Sequence, residues 1–314
     1  MEKKVISIVT PTFNEGELII KCCSEVARIF AKNLDDYILE HIVCDNGSDY
    51  ESYNIVRSLP DKFPHVKVIV NTRNFGVLPN AYNGAMSASG DAILLFLPVD
   101  LQDPPMLIPK FVELWSRQGY DLVYGIRKNR KESWYLRNSR HLFYLILSKL
   151  SKVPYPANAG DFQLVDRRIL NAVKEMNDRR PFLRMSTFMV GGKSIGIPYT
   201  WEQAERPSKN GFFKMLDQAL TGMTSYSSAP MRLATWTGFF VFFFSLLYAI
   251  GSIISVIFLG KDILDGMLSI LVGVFVLGGL NLMFIGIVGE YLLHVHENGR
   301  GHRIVYEKER FNFD

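Results

Sequence analysis

Cysteine is scarce in this sequence, with only Cys22, Cys23 and Cys44 among 314 residues. Two of them are adjacent, a spacing that rarely closes a disulfide, and none stands at metal-ligand spacing with a Cys or His pair. The three read as free thiols of a reducing compartment. A large excess of one charge is also missing. The net +4 is too small to argue for nucleic acid as a partner. No G-x-G-x-x-G opens the first expected helix, which removes the dinucleotide fingerprint. Gly191-Gly192-Lys193-Ser194 looks like the end of a phosphate loop, but Thr187 stands where its first glycine is required, so it reads as a turn. The apolar run Val5 to Val9 is too short for a signal peptide.

Two stretches lack charge altogether. Leu233 to Gly260 and Gly266 to Gly289 each exceed the roughly 20 residues that span a bilayer, and Lys261-Asp262-Ile263-Leu264-Asp265 separates them. They predict a helical hairpin in membrane, over about 233–260 and 266–293. Arg232 precedes it, and Arg300, Arg303, Lys308 and Arg310 follow it. By the positive-inside rule both flanks are cytoplasmic. The expected organisation is a cytoplasmic domain over 1–230, a hairpin over 231–295 and a cytoplasmic tail over 296–314. Gly273, Gly278, Gly279, Gly286 and Gly289 would permit close helix packing, in the simplest case within the hairpin.

The rest of the chain repeats a strand, a polar turn and a helix. Val5 to Val9 leads to a polar loop at Asn14, then a helix from Glu17 to Lys32 with Leu18, Ile19, Cys22, Val26 and Ile29 at helical spacing. A strand from Tyr37 to Cys44 ends at Asp45-Asn46-Gly47-Ser48, and one from Val66 to Asn71 ends at Arg73-Asn74-Phe75-Gly76. A fourth apolar run, Ala92 to Leu97, leads into Pro98-Val99-Asp100-Leu101-Gln102-Asp103-Pro104-Pro105. This order predicts an α/β fold, a doubly wound and mostly parallel sheet whose polar turns share one edge. Ligands bind at that edge in open α/β sheets. Asp100, Gln102 and Asp103 would stand there as hard oxygen ligands, suited to Mg²⁺ or Mn²⁺ carrying a diphosphate. The alternative is a polar turn that caps the next helix.

Three further spots carry polar groups. The run Arg127, Lys128, Arg130, Lys131, Arg137 and Arg140 precedes the apolar segment Leu142 to Leu150. Beside a membrane anchor this reads as an interfacial helix, though such a run also suits a solvated face. Asp161 follows Gly160 and reads as a helix cap or as a functional carboxylate. Lys209, in the polar loop Glu205 to Lys209, could reach a phosphate or face water.

Taken together these residues resemble a family 2 glycosyltransferase of GT-A type, nearest to the polyprenyl-phosphate glycosyltransferases of the bactoprenol glucosyltransferase and dolichol-phosphate mannose synthase group. Thr10-Pro11-Thr12-Phe13-Asn14-Glu15 resembles that family's opening loop. Asp45-Asn46-Gly47-Ser48 is similar to its Asp-Asp-Gly-Ser turn, Arg73-Asn74-Phe75-Gly76 to its Arg-Asn-x-Gly turn, and Gly160-Asp161-Phe162 to its Gly-Asp-Phe. Asp100 to Pro105 resembles the tail of Asp-Ala-Asp-Leu-Gln-x-Pro-Pro, Ser208-Lys209 an acceptor-loop pair, and the hairpin ending at Gly289-Glu290-Tyr291-Leu292 that of the bactoprenol subgroup. Pro98 replaces the first Asp of Asp-Ala-Asp, and Asn46 the second Asp of Asp-Asp-Gly-Ser.

The resemblance implies inverting transfer of a sugar from a nucleotide-diphosphate sugar, UDP-linked by expectation, to polyprenyl (undecaprenyl) phosphate at the cytoplasmic face of the inner membrane. It implies a nucleotide site made of Pro11, Phe13, Asn14, Glu15, Asp45, Asn46, Arg73 and Asn74. Asp100 and Gln102 would hold Mg²⁺ or Mn²⁺, and Asp161 would act as a base or orient the substrates. Arg127, Arg137 and Lys209 are the candidates to grip the acceptor phosphate, because forked guanidinium groups suit phosphate oxygens. A homo-oligomer, such as a tetramer, is also implied. Two rivals carry less weight: a non-catalytic binder of nucleotide sugar or lipid, motivated by Pro98 and Asn46, and a processive polysaccharide synthase. The synthase would need Gln-x-x-Arg-Trp, whereas Gln203-Ala204-Glu205-Arg206 is followed by Pro207.

Overall fold

The computed structural model describes residues 3–128, 156, 159–178, 182–200, 229–259, 266–299 and 301–313. The chain divides into two compact units. The first comprises Met1–Tyr144, Val153–Lys209 and Arg300–Asp314, and the second Leu145–Lys152 and Asn210–Gly299. Arg130, Lys131, Arg137, Arg140, the segment Leu142 to Leu150, the loop Glu205 to Lys209 and the turn Lys261 to Asp265 lie outside the described residues.

The first unit is built on an eight-stranded sheet. Its strands are β1 (Val5–Thr12), β2 (Ile38–Asp45), β3 (Val66–Asn71), β4 (Ala92–Leu94), β5 (Leu122–Lys128), β6 (Ala159–Asp166), β7 (Ser194–Thr200) and β8 (Glu307–Phe311). They lie in the order β7-β5-β6-β4-β1-β2-β3-β8. The expected parallel pairing holds for β4-β1-β2-β3 and for β5 with β7. However, β6 runs antiparallel to both β4 and β5, and β8 antiparallel to β3, so the sheet is mixed. Parallel pairing needs a strand–helix–strand crossover, and a helix stands between each successive pair of β1, β2, β3 and β4.

Helices α1 (Leu18–Asn33), α2 (Tyr50–Arg57), α3 (Leu59–Lys62), α4 (Val77–Ser87) and α5 (Ile108–Gln118) follow strands β1 to β4. Helical spacing on α1 buries Ile19, Cys22, Cys23, Val26, Ile29 and Phe30 against the sheet. All three thiols are free and buried, as their spacing suggested. Burial pushes the Cys22 thiol up to about 12, which makes it an inert core group. Helix α5 turns Phe111 and Trp115 inward, with the Phe111 ring 5.0 Å from that of Phe162 on β6, and it stops at Gly119 in the left-handed conformation. Two later helices, α6 (Arg167–Glu175) and α7 (Leu183–Val190), flank β6 and β7. The cap of α6 is Asp166, which accepts from the Arg168 backbone N–H, so Asp161 is a strand residue and not a helix cap. Gly191 and Gly192 form the positive-φ turn that leads into β7, where the Lys193 ammonium donates to the Gln118 carbonyl at 2.7 Å.

One buried titratable group predicts a pH dependence. His41 on β2 is fully buried, with Nε2 2.8 Å from the Thr10 hydroxyl. Desolvation, and then the neighbouring His65, pull its pKa from 6.5 to about 3. A folded-state pKa below the unfolded one means that the unfolded chain binds the extra proton. The stabilisation is therefore complete above pH 6.5 and is lost as pH falls toward 3, at up to about 1.4 kcal/mol per pH unit. Urea melts at pH 7 and pH 5 should show this slope, and His41→Gln should flatten it. An equal slope in the variant would assign it elsewhere.

In the second unit, helices α8 (Ala229–Leu259) and α9 (Gly266–Gly299) pack on each other. Gly238, Val241 and Ser245 of α8 face Leu277, Asn281 and Phe284 of α9 across an open cleft. Among the described residues one segment, Val276–Leu293, is long and apolar enough to cross a membrane, and a shorter apolar stretch covers Ala234–Tyr248. Among the described residues, a Cβ added at Gly273, Gly278, Gly279, Gly286 or Gly289 of α9 would meet no atom within 4 Å, which gives no sign of the close packing expected within the pair.

Candidate active site

Strand direction assembles one polar edge of the sheet. Strands β1, β2, β3 and β4 are parallel, so the turns that follow them all open at their common carboxyl ends. Strand β6 runs the other way, with Leu94 opposite Leu164 and the Leu95 N–H donating to the Gln163 carbonyl at 2.9 Å. Its first residues, including Asp161, therefore reach the same edge. Strands β5 and β7 return to the direction of β4, which brings Arg127 and its register partner Tyr199 there as well.

The first two turns are clasped together. Asn14 has φ +54°, a conformation that asparagine tolerates. Its backbone N–H donates to Ser48 Oγ at 2.9 Å, and its side-chain oxygen accepts from the Asp49 N–H at 2.9 Å. Asp45 is fully buried and accepts from the Ser48 N–H at 3.1 Å and from the Ser48 hydroxyl. Burial raises its carboxyl pKa and the Ser48 bonds oppose the rise. Gly47, at φ +74°, lets the second turn lie against the third, since a Cβ there would come within 2.7 Å of the Arg73 backbone.

Asn46 holds the third turn. Its Nδ2 donates to Asn74 Oδ1 at 3.0 Å and to the Gly76 carbonyl at 3.1 Å, while its Oδ1 accepts from Asn71 Nδ2 at 3.2 Å and from the Phe75 N–H at 3.0 Å. An amide has two donors and two lone pairs, and all four are engaged. This side chain, expected in the nucleotide site, is a turn clamp. Asn80 extends the network, accepting from Asn71 Nδ2 at 2.7 Å and donating to the Cys44 carbonyl at 2.7 Å. This accounts for Asn46 where the similar motif carries Asp: a carboxylate cannot donate to two oxygens. Asn46→Asp should therefore destabilise the fold by about 1–3 kcal/mol and weaken nucleotide binding, as read by urea melts and titration. Unchanged stability would show that the amide donors are dispensable.

The fourth turn separates its carboxylates by task. Asp100 and Gln102 stand near the surface, with Gln102 Nε2 donating to Asp100 Oδ2 at 2.5 Å. Leu101 between them has φ +56°. Asp103, expected as a third oxygen ligand, is completely buried and faces away into an anchor. Arg127 grips it through Nη2–Oδ2 at 2.8 Å and Nε–Oδ1 at 3.2 Å, and the Tyr199 hydroxyl donates to Oδ1 and accepts from Arg127 Nε at 3.1 Å. Burial opposes the Arg127 charge, but Asp103 and Tyr199 outweigh it and its pKa is raised. Burial and Asp103 raise that of Tyr199. Arg127, expected to hold a phosphate, is engaged as the counterion of Asp103. Arg137 and Lys209 lie outside the described residues.

Among the described residues no three His, Cys, Asp or Glu side chains gather as a metal cluster. The donor set at the turn is one exposed carboxylate, Asp100, and one amide, Gln102. That set fits a hard divalent ion which completes its shell from phosphate oxygens and water. Asp161, at the start of β6, faces Arg184 of α7, with Oδ1 3.7 Å from Nε. Arg184, Tyr199, Asn71 and Asn80 carried no signal in sequence, because each matters through a partner distant along the chain.

Residues 7–174 match the profile of Glycosyl transferase family 2. The chain belongs to glycosyl transferase family 2. This glycosyltransferase is 34% identical over 313 residues to the SfII prophage-derived bactoprenol glucosyl transferase of Shigella flexneri, covering 98% of this chain and 99% of that one. It is 32% identical over 299 residues to an uncharacterized glycosyltransferase of Synechocystis, covering 93% and 91%. A solved mannosyltransferase from Pyrobaculum calidifontis, in complex with GDP-Man and Mn²⁺, superposes with a TM-score of 0.47 at 14% identity, covering 95% of this chain and 87% of that one. The mixed α/β sheet agrees with the GT-A-like fold expected of the family.

Proposed function

We propose that this glycosyltransferase moves a sugar from a nucleotide-diphosphate sugar, UDP-linked in our reading, to a polyprenyl phosphate at the cytoplasmic face of the membrane. The observation that carries this is the convergence of four polar turns and Asp161 on one sheet edge. The near full-length similarity to a bactoprenol glucosyl transferase supports the acceptor class. Pro11, Phe13, Asn14, Glu15, Asp45 and the Arg73-Asn74 turn form the donor site, with Asn46 holding its shape. Asp100 and Gln102 are the residues that would hold Mg²⁺ or Mn²⁺, which would offset charge on the departing diphosphate.

In the reaction an acceptor phosphate oxygen attacks the anomeric carbon from the face opposite the diphosphate. The bond from that carbon to the donor phosphate oxygen breaks, the nucleoside diphosphate leaves with the electron pair, and the anomeric configuration inverts. A phosphate monoester has its second pKa at about 6, so the attacking oxygen is already anionic at pH 7. Asp161 then orients the sugar or the acceptor, with Arg184 fixing its carboxylate. Arg137 and Lys209 remain the candidates for the acceptor phosphate.

We also read α8 and α9 as a membrane hairpin between a cytoplasmic catalytic domain over 1–230 and a cytoplasmic tail. The exposure of Phe240, Phe244, Ile257, Phe258, Ile285 and Leu292 supports lipid contact, since such a collar is untenable in water. That the α9 glycines meet no atom among the described residues supports association with further copies of the chain. The test is transfer of radiolabelled sugar from a panel of nucleotide sugars to undecaprenyl phosphate, by full-length protein in nanodiscs, with Mg²⁺, Mn²⁺ or EDTA. A lipid-linked product that EDTA abolishes is expected. Nucleotide binding with no product from any donor would overturn the proposal.

A further inference from the structure

The last strand of the chain ends up beside the donor edge. Strand β8 runs antiparallel to β3, with Glu307 opposite Asn71, so its first residues lie next to the turn that follows β3. The Tyr306 carbonyl accepts from both the backbone N–H and the hydroxyl of Thr72, at 2.9 Å and 3.1 Å. The Tyr306 ring lies 6.3 Å from that of Phe75, tilted by 36°. On Phe75 rests the Arg73 guanidinium, 4.0 Å from the ring centroid. Three planar groups thus follow one another from the tail strand to the exposed cation of the Arg73-Asn74-Phe75-Gly76 turn.

The remainder of β8 is docked independently of those rings. The Tyr53 hydroxyl donates to Glu309 at 2.8 Å, and Asn83 Nδ2 donates to Glu307 at 2.6 Å. Arg310 pairs with Glu307 and donates to the Ser87 hydroxyl at 3.0 Å, and Asn312 donates to the Pro64 and Val66 carbonyls at 2.9 Å and 2.8 Å. Yet Tyr306 stays about half exposed at 47%. Strand docking alone gives no reason for a large ring there, whereas support of Phe75 does.

We propose that Tyr306 is a positioning residue of the donor site: through Phe75 it fixes Arg73, the cation that meets the nucleotide diphosphate. The inference rests on the donor-site reading above. An unsupported Phe75 ring would leave Arg73 to sample rotamers in water, and donor binding would bear the entropy of ordering it again. The effect belongs to donor affinity and leaves turnover at saturation unchanged.

The test compares full-length wild type with Tyr306→Ala, Tyr306→Phe and Tyr53→Phe, with UDP and GDP as probes in calorimetric titration and with donor KM and kcat where transfer is seen. Tyr306→Ala should weaken nucleotide binding about fivefold, the scale of one aromatic contact, and raise donor KM to match with kcat unchanged. Tyr306→Phe should bind like wild type, because the ring and the backbone carbonyl remain. Tyr53→Phe, which loosens β8 at the Glu309 end, should lower the melting temperature without changing nucleotide affinity. Wild-type affinity in Tyr306→Ala, or an equal loss in Tyr53→Phe, overturns the inference and leaves the proposed reaction standing. A wild type that binds neither nucleotide overturns both, and one that binds without transferring sugar overturns the reaction alone.

Discussion

Asp103→Ala is expected to destabilise the catalytic unit by about 3–5 kcal/mol, the cost of breaking a buried ion pair from one side. Asp103 has no exposed surface, and the Arg127 side chain is only 16% exposed. The pair is bidentate, and Tyr199 closes the third side with its hydroxyl on the same carboxylate oxygen. Removing the carboxylate leaves the guanidinium in a site that burial already makes unfavourable for charge. Urea melts measure the loss. A second variant separates charge from packing: Asp103→Leu with Arg127→Met removes both charges and keeps apolar volume, and such replacements of buried pairs are often neutral. The double variant should recover most of the stability. If Asp103→Ala melts like wild type, the anchor is not what holds this turn.

The anchor also shows which parts of the chain were legible before the fold was known. The apolar run that marks β1, the helical spacing of Ile19, Cys22, Val26 and Ile29, and the polar turns after each strand are local patterns, and local pattern is what a sequence displays directly. The edge on which Asn14, Asp45, Arg73 and Asp100 meet followed from strand direction alone. Arg127 gave no sign of its ion pair with Asp103, because that partner lies 24 positions away. Within its own charge run it looks like a surface or phosphate-binding group. The clamping role of Asn46 was hidden for the same reason, since its four hydrogen bonds run to Asn71, Asn74, Phe75 and Gly76, which only the folded turn brings together. Strand β8 was missed altogether. Glu307-Lys308-Glu309-Arg310-Phe311 is charged and short, as edge strands commonly are, and such a run reads as a solvated tail.

The largest effect on turnover is expected at Asp100. On the proposed reading it is the carboxylate that holds the divalent ion against the departing diphosphate, with Gln102 as its neighbour. Pro98 stands where the similar motif has a further Asp, so no second exposed carboxylate of that motif can substitute. Asp100→Ala should reduce kcat by about 10²–10³-fold, the scale of losing one preorganised electrostatic group at developing charge. Folding should be nearly untouched, because Asp100 is exposed and among the described residues its hydrogen bonds run to Gln102 two residues on. A stability change within about 0.5 kcal/mol is expected. Asp103→Ala, three positions later, should show the opposite pattern, a large loss of stability in a residue that meets no substrate. The decisive measurement is a Mn²⁺ titration of transfer by wild type and Asp100→Asn, which keeps the shape of the side chain and removes its charge. A midpoint shifted to higher Mn²⁺, with the melting temperature unchanged, is the expected result. Wild-type turnover at the same midpoint would mean that the ion is held elsewhere, and would leave the left-handed Leu101 between Asp100 and Gln102 without a functional reason.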